Sequence, residues 1–349
     1  MPQSSKCKEY LVSNTNSLEE RYHNQSEISQ KSDKVLVIGL GQLGLPVAKY
    51  VKERGFDVYG YDISTNAMNK AEKIAGIKKA VSGCSNSLDT GIIHNFDVCI
   101  LTVSTHDPKD MSSPQIDGLL SQVETLSKEA KTGALLSIES TVPKGTSRKI
   151  FEILKHRMHV VHAPHRWYAL EEEYHGVNQP RVIGGVLDCC LKTGMQFYNG
   201  GRTVTPHPLN APRKRVKSLE IPMHQVQAVD IAEITKIAEN AHRYLQIAFA
   251  EELYLYCQLN DLNFTELREA LNTKWNVNIL EPREGIGGHC LPKDTKMFLG
   301  SSNSERSKIL NAAMEVDLDY RVHLQLCNSN ICKNDIGSSH KINSPIEVR

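Results

Sequence analysis

Cys290 stands behind Gly285-Ile286-Gly287-Gly288-His289 and ahead of Leu291-Pro292-Lys293-Asp294. Glycines let a backbone turn sharply and approach a ligand closely. A free thiol at pH 7 is only about 3% thiolate, and a neighbouring cation raises that share. With Lys293 three residues on and Asp294 four on, Cys290 is a candidate nucleophile whose pKa should be lowered. An isolated cysteine is ordinarily a small buried hydrophobe; the glycines, the lysine and the acid set this one apart. A second chemical pair, Lys236 and Asn240, is spaced four apart and shares a helix face, about 6 Å along the axis. Such a pair either polarises a substrate oxygen or lies exposed on a helix, and spacing alone leaves both open.

Positioning these groups requires a scaffold, and the first half of the chain supplies one. Lys34-Val35-Leu36-Val37-Ile38 is the short apolar run of a central parallel strand. It leads into Gly39-Leu40-Gly41-Gln42-Leu43-Gly44, then into helical periodicity through Val47, Ala48 and Val51, and a second strand, Val58–Tyr61, ends at Asp62. That is a dinucleotide-binding unit. Gly39 serves the tight turn, Gly41 the approach of backbone to pyrophosphate, and Gly44 the close packing of helix on strand, with Gln42 and Leu43 between them. The helix N-terminus offers its N–H groups to the phosphates. Asp62 would accept from the ribose hydroxyls, and no Arg follows it, which favours NAD over NADP.

Further strands are expected at Phe96–Val103 and Ala134–Ile138, with a helix over Gln115 to Lys131. Their following loops, which carry Thr105 and the run Glu139 to Thr146, lie where such sheets bind ligands; plain turn chemistry is the alternative. Val160–Trp167 and Pro180–Val186 give two more strands, with the acid run Glu171 to Glu173 between them as a solvated loop. A basic, proline-rich connector around Arg213–Lys217 then precedes a helix over Val226 to Leu259, long enough to form a dimer seam. A short helix, Thr265 to Asn272, follows, and one amphipathic helix after Asp294. The expected division is a polar tail over 1–33, an NAD domain of Rossmann type over 34–205, an all-helical central domain over 206–327 carrying the Cys290 loop, and a polar tail over 328–349.

The balance of 41 basic and 40 acidic residues in 349 provides no global field for nucleic acid or an anionic membrane. No apolar run reaches the ~18 residues of a membrane-spanning helix, and the Ser-, Asn- and Glu-rich start has no signal-peptide core. Nine cysteines without regular spacing fit reduced thiols in a cytoplasmic protein. Adjacent Cys189-Cys190 is expected to be structural, and no Cys/His spacing has the form of a zinc site.

In order, the glycine turn with Leu45-Pro46, the run Glu139-Ser140-Thr141-Val142-Pro143-Lys144-Gly145-Thr146, Ala232–Lys236 with Asn240, and Gly285–Asp294 resemble the UDP-sugar 6-dehydrogenases. This family oxidises UDP-glucose or UDP-N-acetylmannosamine, and the likeness runs from about Lys34 to Met314. It implies oxidation of the sugar C6 alcohol to a carboxylate with two NAD, through a thiohemiacetal and a thioester on Cys290. It also implies oxyanion stabilisation by Lys236 and Asn240, and a water ordered by Asp294 and Thr141. The cofactor would touch Gly39, Gly41, Gln42, Leu43, Gly44, Asp62, Thr105 and Glu139, and the nucleotide sugar His165, Arg166, Gly287, Gly288 and Lys293.

Two departures stand out. Pro164-His165-Arg166 replaces the usual Pro-Glu-Arg, so that either His165 or Glu171 to Glu173 takes over the base role. The second Rossmann-like domain that closes over UDP in the family does not follow, which leaves open a shortened form that holds its substrate differently or an inactive NAD-binding scaffold. A single-transfer dehydrogenase of β-hydroxyacid or 6-phosphogluconate type shares the NAD domain and the Lys/Asn pair but has no use for Cys290.

Overall fold

The computed structural model describes residues 33–81, 87–167, 173–201, 217–301 and 307–328. Most of the expected tails, Glu171, Glu172 and the basic connector from Arg213 to Val216 lie outside these. Strands β1 (Lys34–Ile38), β2 (Asp57–Tyr61), β3 (Lys78–Lys79), β4 (Val98–Leu101), β5 (Leu135–Ile138), β6 (His159–His162), β7 (Arg181–Gly185) and β8 (Met223–Val226) form one sheet, in the order β3-β2-β1-β4-β5-β6-β7-β8. All neighbours run parallel except β6 and β7. The central parallel strands β1, β4 and β5 are rich in Val, Leu and Ile, as strands covered on both faces are; β4, β5 and β7 are buried at every position.

Helices α1 (Gly44–Glu53), α2 (Thr65–Ala75), α3 (Asp117–Glu129), α4 (Thr146–Leu154) and α5 (Asp188–Asn199) accompany the sheet. A turn of 3-10 helix covers Thr90–Asn95. Ser64 caps α2 by accepting from the Ala67 N–H, and Gly76 ends it in the left-handed region.

The sheet extends past the boundary expected after residue 205: β8 pairs with β7, so Val226 is strand and the long helix starts later. That helix, α6 (Val229–Leu259), has 31 residues, about 46 Å at 1.5 Å per residue. It is followed by α7 (Phe264–Asn272), α8 (Cys290–Gly300) and α9 (Lys308–Asn328). Two helices thus stand where one was expected after Asp294, and Cys290 opens the first of them instead of lying within a loop. The chain is an α/β domain of Rossmann type followed by a helical domain. Among the described residues, no helix is long and apolar enough to cross a membrane.

Candidate active site

The glycine turn has the geometry that a dinucleotide needs. Gly39 has φ +94°, and a Cβ there would stand 2.8 Å from the Thr102 backbone. A Cβ on Gly44 would lie 1.7 Å from the Gly39 carbonyl oxygen, so strand and helix touch at this point. At Gly41 a Cβ would meet nothing within 4 Å, and Gly41 and Gln42 are exposed: here the backbone faces open space. Leu43 precedes α1 without a side-chain cap, which leaves N–H groups for an anion. Asp62 accepts from the Leu40 N–H at 2.6 Å and from the Ser64 N–H at 2.8 Å, which fixes a carboxylate beside the turn. The residues present fit NAD.

A polar relay joins the two domains. The Thr105 hydroxyl donates to the Thr141 carbonyl at 2.7 Å and accepts from Lys293 Nζ at 3.0 Å. Lys293 Nζ lies 3.2 Å from Asp294 Oδ1, and Asp294 Oδ2 accepts from Asn240 Nδ2 at 2.5 Å. Thr105, Lys293 and Asp294 are all buried. The loops after β4 and β5 are therefore coupled to the first turn of α8 and to α6. The expected catalytic residues Thr141, Asn240 and Asp294 come together in this relay, and Thr105 and Lys293, expected at the cofactor and the substrate, link them. Asn240 spends one of its two amide N–H donors on Asp294 and keeps the other.

The thiol chemistry differs from expectation in sign. Cys290 reaches solvent, yet its pKa is raised, first by the protein around it and then by Asp294, against the pull of Lys293 and Lys236. Because Cys290 starts a helix, Asp294 lies one turn further on and on the same side, while the Lys293 charge is shared with Asp294. Asp294→Asn removes a carboxylate that opposes the thiolate. Iodoacetamide should therefore label Cys290 faster in this variant at pH 7–8 while turnover falls; slower labelling would show that Asp294 does not raise the pKa. Lys236 is half-buried, its ammonium makes no hydrogen bond among the described residues, and it acts electrostatically on both Cys290 and His165. Gly287 and Gly288 are exposed, with open space where a Cβ would be. The His106 and His289 rings meet at a tilt of 59°, with centroids 5.2 Å apart.

Three further expectations are corrected. Glu139 is not in the cleft: its carboxylate is buried, accepts from the Tyr198 hydroxyl and from His165 Nε2, and lies 3.1 Å from Arg181 Nη1. Burial alone would push it up, but Arg181 and His165 outweigh that and hold it at about 2. His165 is neither an exposed base nor a substrate ligand. Burial, with Arg181 adding to it, brings its pKa down to about 4, so a neutral ring donates Nε2–H to Glu139. Arg166 grips Glu239 of α6 through two nitrogens and donates to the Pro180 carbonyl at 3.0 Å, which makes it a clamp between domains. Glu173 is exposed.

Other residues that shape the site are given no role by the sequence reading. Glu233, buried in α6, accepts from the Gly145 N–H at 2.6 Å and the Ser147 N–H at 2.7 Å, and so caps α4 from another element. Asp317 of α9 accepts from the Ile286 N–H at 2.8 Å, from Tyr244 at 3.1 Å and from Arg321, which pins the glycine loop ahead of Cys290. Glu251 lies near this carboxylate, fully buried, and its pKa rises to about 7, through burial first and Asp317 second. The native state then holds a proton between the unfolded value near 4.5 and about 7, so this group costs stability as pH rises through that window. Glu251→Gln should therefore gain on the wild type between pH 5 and pH 8 by up to ~3 kcal/mol in urea unfolding. A difference that stays flat with pH would refute the assignment.

Comparisons with known proteins agree with this fold. Residues 33–200 match the NAD binding domain of the UDP-glucose/GDP-mannose dehydrogenase family, and residues 230–318 match its central domain. The chain is 28% identical over 308 residues to a UDP-N-acetyl-D-mannosamine dehydrogenase of Methanococcus maripaludis, covering 85% of this chain and 67% of that protein. It is 29% identical over 309 residues to one of Campylobacter jejuni, covering 82% and 71%. The solved UDP-D-ManNAc dehydrogenase of Pyrococcus horikoshii superposes with a TM-score of 0.70 at 25% identity, covering 87% of this chain and 72% of that one.

Proposed function

Because the chain belongs to the UDP-glucose/GDP-mannose dehydrogenase family, we propose that it oxidises the C6 alcohol of a UDP-sugar to the uronate. UDP-N-acetylmannosamine is the favoured sugar and UDP-glucose the second. The observation that carries this reading is the position of Cys290, on the helix whose Lys293 reaches Thr105 in a loop of the NAD domain. A thiol beside the nicotinamide end is useful only if an aldehyde must be held between two oxidations. The similarity to proteins named UDP-N-acetyl-D-mannosamine dehydrogenase supports the choice of sugar.

Bound NAD supplies the hydride acceptor. The chain's own residues do the rest. The C6 alcohol gives up its hydroxyl proton and a hydride to become an aldehyde, and Cys290 adds through sulfur while the carbonyl oxygen takes a proton. Loss of the thiohemiacetal's hydroxyl proton and of a second hydride, to a second NAD, leaves a thioester, and water adds to it and breaks the C–S bond to release carboxylate and thiol. Lys236 and the remaining Asn240 N–H stabilise the oxyanion at each stage, a role worth about 10²–10³-fold. Asp294, with Thr141, orders the water. A depression of about 310 Å³ lined by Tyr61, Leu88, Thr90, Gln122 and Thr125 at the end of β2 suits the adenine. Homodimerisation through α6 is part of the same proposal, because Ile231, Phe249, Tyr256 and Leu259 are exposed along it; a monomer in sedimentation would remove it.

The test supplies purified protein with NAD and a panel of UDP-sugars and counts NADH per sugar consumed. Two NADH and a uronate are expected; one NADH per hydroxyacid points to single-transfer chemistry, and no turnover on any sugar refutes the reading. NAD should outperform NADP in kcat/KM by about tenfold or more, since a 2′-phosphate loses its charge-assisted hydrogen bond to Asp62 and meets a carboxylate, a loss of ~1.5–3 kcal/mol. Equal use of both would contradict the role given to Asp62.

A further inference from the structure

His156, His159, Cys189 and Cys190 converge away from the cleft: one ligand atom from each lies within 4.8 Å of every other. The expectation of no zinc-like spacing missed them because a His-x-x-His pair and a Cys-Cys pair are brought together only by packing of α5 on β6. His156 follows α4 and precedes β6, with Lys155 and His156 both at positive φ, 47° and 58°. His159 is the first residue of β6, and the cysteines lie in the first turn of α5. The cluster is therefore at the amino end of β6, across the sheet from the glycine turn and Cys290.

We propose that these four side chains form a structural zinc(II) site. Two cysteine sulfurs and two imidazoles are the donor set of a closed tetrahedral zinc centre, in which Zn–S of ~2.3 Å and Zn–N of ~2.0 Å place ligand atoms about 3.3–3.8 Å apart. Cys189 Sγ and His156 Nε2 already stand at 3.6 Å, and no pair, all within 4.8 Å, needs to close by more than about 1.5 Å. The His156 and His159 rings meet edge to face at 5.6 Å, so two different ring planes address one point.

Zinc binding releases the thiol protons to solvent and leaves two thiolates, two neutral imidazoles and the dication with no net charge. The site would clip the α4–β6 connection to the start of α5.

The test uses the full chain, purified under reducing conditions, with metal content read by mass spectrometry and by titration with cobalt(II). One zinc per chain is expected. Cobalt should produce sulfur-to-metal charge transfer and the strong visible bands of a tetrahedral site, and zinc should raise the thermal midpoint. Cys189→Ser and His156→Gln, at an exposed and a half-exposed position, should each abolish the cobalt bands, and Cys189→Ser should lose the thermal gain. Metal-free protein that also stays colourless with cobalt overturns the proposal. So do unchanged zinc content in both variants, or a Cys189–Cys190 disulfide that persists with zinc in excess.

Discussion

Cys290→Ser should stop uronate formation, with the rate falling on the order of 10³-fold or more and the NADH yield per sugar dropping from two to one or fewer. Serine preserves size and the exposed position at the start of α8, so the Asp294–Lys293–Thr105 relay stays in place. What is lost is the sulfur that can add to an aldehyde and then leave an acyl group. Any residual NADH should track aldehyde, trapped as its hydrazone. Unchanged uronate production would remove Cys290 from the mechanism while leaving the NAD domain untouched.

Arg181→Met should cost about 3–5 kcal/mol of stability, since it strands a carboxylate in the interior. Arg181 is 1% exposed, lies 3.1 Å from Glu139, donates to the Val177 carbonyl at 2.7 Å, and sits over the Tyr198 ring at 5.7 Å. With the guanidinium gone, Glu139 keeps only His165 and Tyr198. The paired change Arg181→Met with Glu139→Gln should recover part of the loss, because the remaining partner is then neutral. Urea unfolding of the two single variants and the double measures both effects. A loss below ~1 kcal/mol for Arg181→Met would mean that the Glu139 charge is not sustained by Arg181.

The parts of this protein legible in its sequence are those whose partners are close in the chain. Gly39, Gly41, Gly44 and Asp62 stand together at one turn, as expected, because a single strand-turn-helix unit holds them within about twenty residues. The Lys236–Asn240 face is legible for the same reason, because helical spacing alone creates it. Cys290 was recognisable as a type of residue but not in its electrostatics: the net effect of Lys293 and Asp294 depends on whether the thiol starts a helix. Glu139, His165, Arg181 and Tyr198 come from the loop after β5, the loop after β6, β7 and α5, so nothing in their local spacing reveals that they neutralise one another. Val226 illustrates the limit of periodicity, as an apolar residue next to a helix that the sheet claims instead.

Helix α6 makes four attachments along one stretch: Glu233 to the start of α4, Glu239 to Arg166, Asn240 to Asp294, and Tyr244 to Asp317. From Glu233 to Tyr244 the backbone advances about 16 Å and completes about three turns. The gap between the NAD loops and the thiol is therefore measured out by a helical screw thread, and its phase matters as much as its pitch. One residue inserted between Glu233 and Glu239 would advance the far side by ~1.5 Å but rotate it by about 100°. The last three attachments would then face the wrong way together. In this segment length is tolerant and angle is not.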